Sequence, residues 1–307
     1  MHIITGVVVT LQNGVDCFLG GTNRLTIIDR LNLAVLTRDD EDAGSGSDLN
    51  VVVNINGNDV VSHFVVYQPP YDIGRGNAGI LPVAHTTEHP IQFDSDSLTN
   101  SSVRVEITGD DAWKPQHVLL LGRTDPLNNE VVGWIPLAIE LDTNIWLSSD
   151  TSEGRVSMPV RLVRLGNDST VIRRVLLLLK TANEDDAGTD DPIELEITAG
   201  GSTVLKQATG SGNSTSQVDT EQSSHNWYFL NVSVPFTKGQ VLSDGGIKLG
   251  IGGKDAWLPR EVYVYGFDMA DGRPREIVHL VSITDWSLGW LSRDMSEGED
   301  SVPLPVS

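Results

Sequence analysis

Apolar residues in this chain come in runs rich in Val, Ile, Leu and Thr, separated by Gly, Asn, Asp and Pro. Several runs alternate. Val103-Arg104-Val105-Glu106-Ile107 and Glu194-Leu195-Glu196-Ile197 set apolar side chains on one face and charged ones on the other. That is the period of a strand with one wet face. The pattern predicts strands over 26–36, 49–55, 60–66, 103–108, 117–122, 131–140 and 157–163. It continues over 170–180, 192–198, 227–235, 246–251, 261–267, 276–284 and 301–306. No long stretch carries the helical period. The fold class expected is all-β, with two tandem antiparallel β-sandwiches.

The tandem arrangement comes from self-comparison. Asp111-Ala112-Trp113 recurs as Asp255-Ala256-Trp257, Trp146-Leu147-Ser148 as Trp290-Leu291-Ser292, and Ser152-Glu153-Gly154 as Ser296-Glu297-Gly298. Asp42-Ala43-Gly44 recurs as Asp186-Ala187-Gly188, Thr37 as Thr181 and Pro115 as Pro259. Every pair is 144 positions apart. One constant offset over that length reads as an internal duplication, with copies at 25–164 and 169–307 and a short linker, 165–168, between them. Residues 1–24 have no counterpart. Gly6-Val7-Val8-Val9-Thr10-Leu11 with the Asn13-Gly14 turn reads as an extension strand, able to cover an edge of its own unit or of a second copy in a homo-oligomer. The polar stretches 68–100 and 207–224 occupy one place in the repeat and read as long surface loops.

Charge narrows the partners. The 307 residues hold 21 Lys+Arg against 42 Asp+Glu, a net charge of −21. This balance argues against nucleic acid, whose phosphates want clustered Lys and Arg. It also excludes unassisted attraction to an anionic membrane. The single cysteine, Cys17, allows no internal disulfide. The longest apolar run, Val175-Leu176-Leu177-Leu178-Leu179, is far short of the roughly 18 residues of a transmembrane segment. No conventional signal peptide opens the chain.

The acidic turns carry the candidate chemistry. The first run, Thr37-Arg38-Asp39-Asp40-Glu41-Asp42-Ala43-Gly44-Ser45-Gly46-Ser47-Asp48, has its copy at Thr181-Ala182-Asn183-Glu184-Asp185-Asp186-Ala187-Gly188-Thr189-Asp190-Asp191. A second turn, Gly109-Asp110-Asp111-Ala112-Trp113, is copied as Gly253-Lys254-Asp255-Ala256-Trp257. Turns at one end of a sandwich converge, and dense carboxylates and carbonyls in flexible loops suit calcium. The alternative is solvated turns, since Asp, Asn and Gly favour turns for backbone reasons alone. Retention of Asp-Ala-Gly and Asp-Ala-Trp in both copies tips the reading toward ions, because packing would keep Gly and Trp without evidently keeping the aspartates.

At these residues the chain resembles PLAT domains, the polycystin/lipoxygenase/alpha-toxin β-sandwich. Ala187-Gly188-Thr189-Asp190-Asp191 looks like that family's opening signature, Trp257-Leu258-Pro259-Arg260-Glu261-Val262 is similar to its Trp-containing strand, and Trp290-Leu291 to its closing motif. The first copy matches more loosely, with Ser45-Gly46-Ser47-Asp48 at the signature. The resemblance implies an eight-stranded sandwich that binds membranes or protein partners, often with Ca2+ at one end. Carried over, it assigns Asn183, Asp186, Gly188 (carbonyl), Asp190, Asp255 and Ala256 (carbonyl) as ligands in the second copy. In the first copy it assigns Asp39, Asp42, Gly44 (carbonyl), Asp48, Asp111 and Ala112 (carbonyl). Lys254 in place of Asp110 makes the two sites unequal.

Trp113 and Trp257 adjoin these turns. As ligand or membrane contacts they would dip into a lipid interface once ions neutralise the loop. As core residues they would cap the sandwich, which the usual burial of Trp favours. Trp146 and Trp290 read as core. No Gly-x-Ser-x-Gly elbow, His-Glu-x-x-His or P-loop occurs, and none of the seven histidines recurs at the repeat offset. His89 and His225 are the candidates if the chain is a hydrolase or accessory module. The leading expectation is a non-enzymatic, calcium-binding protein that engages a lipid surface, a glycan or a protein partner, in an extracellular or cell-surface setting suited to weak calcium sites. The alternative is a structural shell, coat or adhesion component.

Overall fold

The computed structural model describes residues 25–55, 58–64, 76, 78–83, 91–94, 101–124, 133–209 and 222–307. The proposed extension strand and the Asn13-Gly14 turn lie outside the described residues, as does His89. The fold is all-β and antiparallel in nearly every pairing. The first half contains β1 (Leu25–Thr37), β2 (Leu49–Ile55), β3 (Asn58–Phe64), β4 (Ala78–Val83), β5 (Ile91–Asp94), β6 (Ser102–Ile107), β7 (Pro115–Thr124), β8 (Trp134–Glu140) and β9 (Ser157–Leu162). The second contains β10 (Arg164–Leu165), β11 (Val171–Thr181), β12 (Ile193–Ala199), β13 (Ser202–Ala208) and β14 (His225–Thr237). A short helix, α1 (Lys238–Asp244), and then β15 (Gly246–Ile251), β16 (Pro259–Ala270), β17 (Arg273–Ile283) and β18 (Ser301–Leu304) complete it.

In the first half one curled sheet runs β3-β2-β6-β9-β8-β7-β1-β4, with β5 also on β1. The second half has two separate sheets, β10-β17-β16-β11-β14 and β13-β12-β15-β18. The neighbour relations β1-β7-β8 and β2-β6-β9 in one half are matched by β11-β16-β17 and β12-β15-β18 in the other.

Among the described residues, three apolar cores follow from side-chain alternation. On β1 and β7, Leu33, Val35, Val118 and Leu120 point into the first sandwich. On β11 and β16, Val175, Leu177, Leu179, Val262 and Val264 point into the second. The residues between them, Ala34, Leu36, Leu119, Leu121, Leu176, Leu178, Tyr263 and Tyr265, form a third core with Trp134, Trp227, Phe229 and Phe267. This third core is the seam between the halves. The inner sheets are thus buried on both faces, and such strands read as unbroken apolar runs instead of alternating ones. Each large side chain buried there stabilises the stack by roughly 1.5–3 kcal/mol.

The seam is also hydrogen-bonded. Tyr265 Oη donates to the carbonyl of Trp134 at 2.9 Å, and the Trp134 N–H donates to Ser282 Oγ at 3.2 Å. Burial pushes the Tyr265 phenol well above its usual range, so it stays a donor.

Several expected loops are structured. Within 68–100, β4 and β5 pair with β1 over Leu31–Leu36 and Leu25–Ile28. They line the edge that β14 occupies on β11. Within 207–224, Ala208 ends β13, and residues 210–221 lie outside the described set. The linker is part of a sheet: β10 runs parallel to β17, and Gly166 N donates to the Ile277 carbonyl at 2.8 Å. Gly200-Gly201 and Asp271-Gly272 all take positive φ (56°, 73°, 52° and 75°) and close two-residue hairpins, as the strand twist demands. Helix α1 starts on a reciprocal capping box between Thr237 and Gln240.

Candidate functional site

Each half carries a pole where two acidic bends meet. The bend after β1 is fastened to the bend before β7 by Lys114 N donating to the Ala43 carbonyl at 3.0 Å, and Leu258 N to Ala187 repeats this at 3.1 Å. Ser45 Oγ donates to the Asp111 carbonyl at 2.6 Å, and Thr189 Oγ1 to that of Asp255 at 3.1 Å. The two bends do converge, in both halves.

The aspartates have backbone work at these poles. Asp111 Oδ2 accepts from Gly46 N at 2.6 Å, and Asp255 Oδ2 from Asp190 N at 3.0 Å. Asp42 and Asp186 sit at φ 57° and 61°, a left-handed conformation that Asp tolerates better than most residues. Their recurrence at the repeat offset therefore has a structural cause and does not by itself point to ions.

Trp113 and Trp257 are 0% exposed. Each indole Nε1 donates to a buried threonine, Thr37 at 3.0 Å and Thr181 at 3.1 Å. Each backbone pairs with the closing loop, Trp113 with Leu147 and Trp257 with Leu291. These rings cap the cores and have no face to offer a ligand or membrane. The expectation reverses for Trp146 and Trp290, which lie half-buried at the rim while the adjacent Leu147 and Leu291 fill the core.

The poles then diverge. Lys114 Nζ lies 2.6 Å from Asp40 Oδ2 and 5.1 Å from the Trp146 ring centre, a cation–π geometry. In the second half the counterpart of Lys114 is Leu258. There Asp186, Asp255, Ala256, Trp290 and Glu297 line a cavity of about 370 Å³. Three of the six second-copy candidates, Asp186, Asp255 and Ala256, are thus brought together. Asn183 is turned away, its Oδ1 accepting from Ser223 Oγ at 2.8 Å and Gln222 Nε2 at 3.2 Å. Gly188 is half-buried on the bend, and Asp190 is exposed, with its N–H holding Asp255.

In the first half Asp39, Asp42, Asp48 and Asp111 are exposed, and Gly44 and Ala112 are half-buried. The Asp48 carbonyl accepts from Thr108 N and Oγ1. Lys254 and Asp110 keep one backbone role: their carbonyls accept from Ser292 Oγ at 2.9 Å and Ser148 Oγ at 3.3 Å.

Glu297 was not among the expected ligands. Its signal was the recurring Ser-Glu-Gly of the closing loop. Just before it, Asp294 accepts from Ser296 Oγ at 2.7 Å and Ser296 N at 3.0 Å. These bonds hold its carboxyl below the usual range, and Ser152 does the same for Asp150. The donors around the second cavity are oxygens, the chemistry of a hard cation. The carboxylates are spread around it: among the described residues no three His, Cys, Asp or Glu side chains are gathered as a metal group. His225, a candidate for catalysis, is 7% exposed inside the protein.

Comparison with protein-family models, with curated proteins and with solved structures finds no match.

Proposed function

We propose that this chain is a non-enzymatic binding protein, one PLAT-like sandwich used twice, whose second pole holds calcium and bridges through it to phosphate or hydroxyl groups of a lipid surface, a glycan or a protein partner. The observation that carries the reading is the cavity of the second pole, bordered by the three acidic residues Asp186, Asp255 and Glu297. With Asp255 Oδ2 engaged by Asp190 N, Oδ1 is left for an ion. Asp186 and Glu297 are exposed on separate loops, so an ion there draws the loops together and relieves their mutual repulsion. Such a site is weak, in the range of extracellular calcium modules. At the first pole Lys114 already supplies a cation, beside Asp40.

Calcium titration by calorimetry tests it, with Asp186→Asn and Glu297→Gln as controls. The expected outcome is one bound ion, lost in both variants. Melting in calcium at about 100 times Kd gains roughly 2.7 kcal/mol over chelator. Identical melting in calcium and in chelator sinks the proposal.

A further inference from the structure

The seam between the halves is apolar, yet each half places a histidine in it. His117 on β7 is 1% exposed, stacked on Trp227 of the other half (6.1 Å, 13°) and edge-on to Phe229 (4.8 Å). Its Nδ1 accepts from the Asp142 N–H at 3.0 Å, so the ring is neutral with its proton on Nε2. A second proton would go on Nδ1 and point at that N–H. In return, β17 sends His279 toward Gly133, beside the Tyr265 ring at 5.9 Å. The Nε2 atoms of His117 and His279 are buried with no hydrogen-bond partner among the described residues. His225 occupies the same face of β14 as Trp227 and Phe229, by alternation.

We propose that this seam is an acid-sensitive joint: charging His117 and His279 loosens the two sandwiches from each other while each stays folded.

The groups facing these rings support it. His117 is depressed to about 4, first by burial and then by Arg38 and Arg174, while Asp142, 4.0 Å away and exposed, acts in the opposite sense. His279 is depressed to about 4 by burial and by Lys238, and Ser307 Oγ lies 3.0 Å from its Nδ1. His225 is depressed to about 3 by burial and by Lys180. A histidine depressed in the closed seam and ordinary, near 6.5, in the open one favours closure above pH 6.5. As pH falls from there to about 4, each of the pair shifts the balance toward opening by about tenfold per pH unit.

Solution scattering and strand circular dichroism of the full chain, from pH 7 to 3.5, test this, with the double variant His117→Phe/His279→Phe for comparison. The expected result is a longer distance distribution for the native chain below pH 6, with its strand signal intact, and compactness retained about one unit lower in the variant. A native chain that stays compact until its strands melt overturns the proposal, as does a variant that opens at the native pH. If the variant does not fold, histidine NMR of the native chain decides. Titration of His117 and His279 together with opening supports the joint, and titration with the seam still closed refutes it.

Discussion

The two poles differ in how they meet their own negative charge. They share the buried tryptophan, the threonine that receives its N–H, the aspartate that holds a backbone amide and the left-handed aspartate in the bend. The first pole then places Lys114 between Asp40 and the Trp146 ring. The second has Leu258 at that position and a cavity beside Trp290. The shared parts are what the fold requires of any pole. The lysine and the cavity are where the halves are free to differ.

The largest expected effect tests the shared part. Trp113→Ala and Trp257→Ala each cost about 3–5 kcal/mol in denaturant melts, within roughly 1 kcal/mol of each other, since both empty a capped core. A difference of several kcal/mol would show that the poles are not held alike.

A smaller effect separates them. A Cβ on Gly109 would collide with the Ser47 side chain and come 3.3 Å from its Cα, so backbone has to move. The atoms nearest a Cβ on Gly253 would be those of the Asp191 carboxylate, which can swing away at the loss of its bond from Asp255 N. Gly109→Ala is expected to cost about 2–3 kcal/mol by overpacking. Gly253→Ala costs about 1 kcal/mol, one hydrogen bond.

An effect of comparable size to the Gly253 change concerns the ion. Leu258→Lys should weaken calcium at the second pole about tenfold, roughly 1.4 kcal/mol. Lys114→Leu should add a second, weak calcium equivalent in calorimetric titration. No change in either variant would mean the lysine does not set the difference.

Much of this fold was legible beforehand. The alternation at Val103–Ile107 and Glu194–Ile197 marks β6 and β12 because their outer faces are wet. The repeat offset led to both acidic bends, and the bends do meet. What escaped reading had physical reasons. Val175–Leu179 is apolar at every position because both faces of β11 are covered, and periodicity alone is silent about a second core. Strands β4, β5 and β13 sit among Pro, Gly and Ser, where pairing with β1 and β12 overrides weak local preference. The capping box of α1 opens a helix of only seven residues, too short to show a period. At the poles, aspartate recurrence suggests ions in the sequence, whereas backbone geometry accounts for it. The Lys114 contact and the half-buried Trp146 and Trp290 depend on loop packing that spacing does not encode.

Stacking the sandwiches on a common middle also layers the freedom to evolve. A change at Leu176 or Tyr265 is felt by both halves at once, because those side chains fill the core that joins them. Arg104, Glu106 and Glu196 stand on outer strands against solvent, each partly exposed. Neutral drift and new specificities will collect on those outer faces and in the loop ends, while the middle changes only by paired substitutions reaching across it.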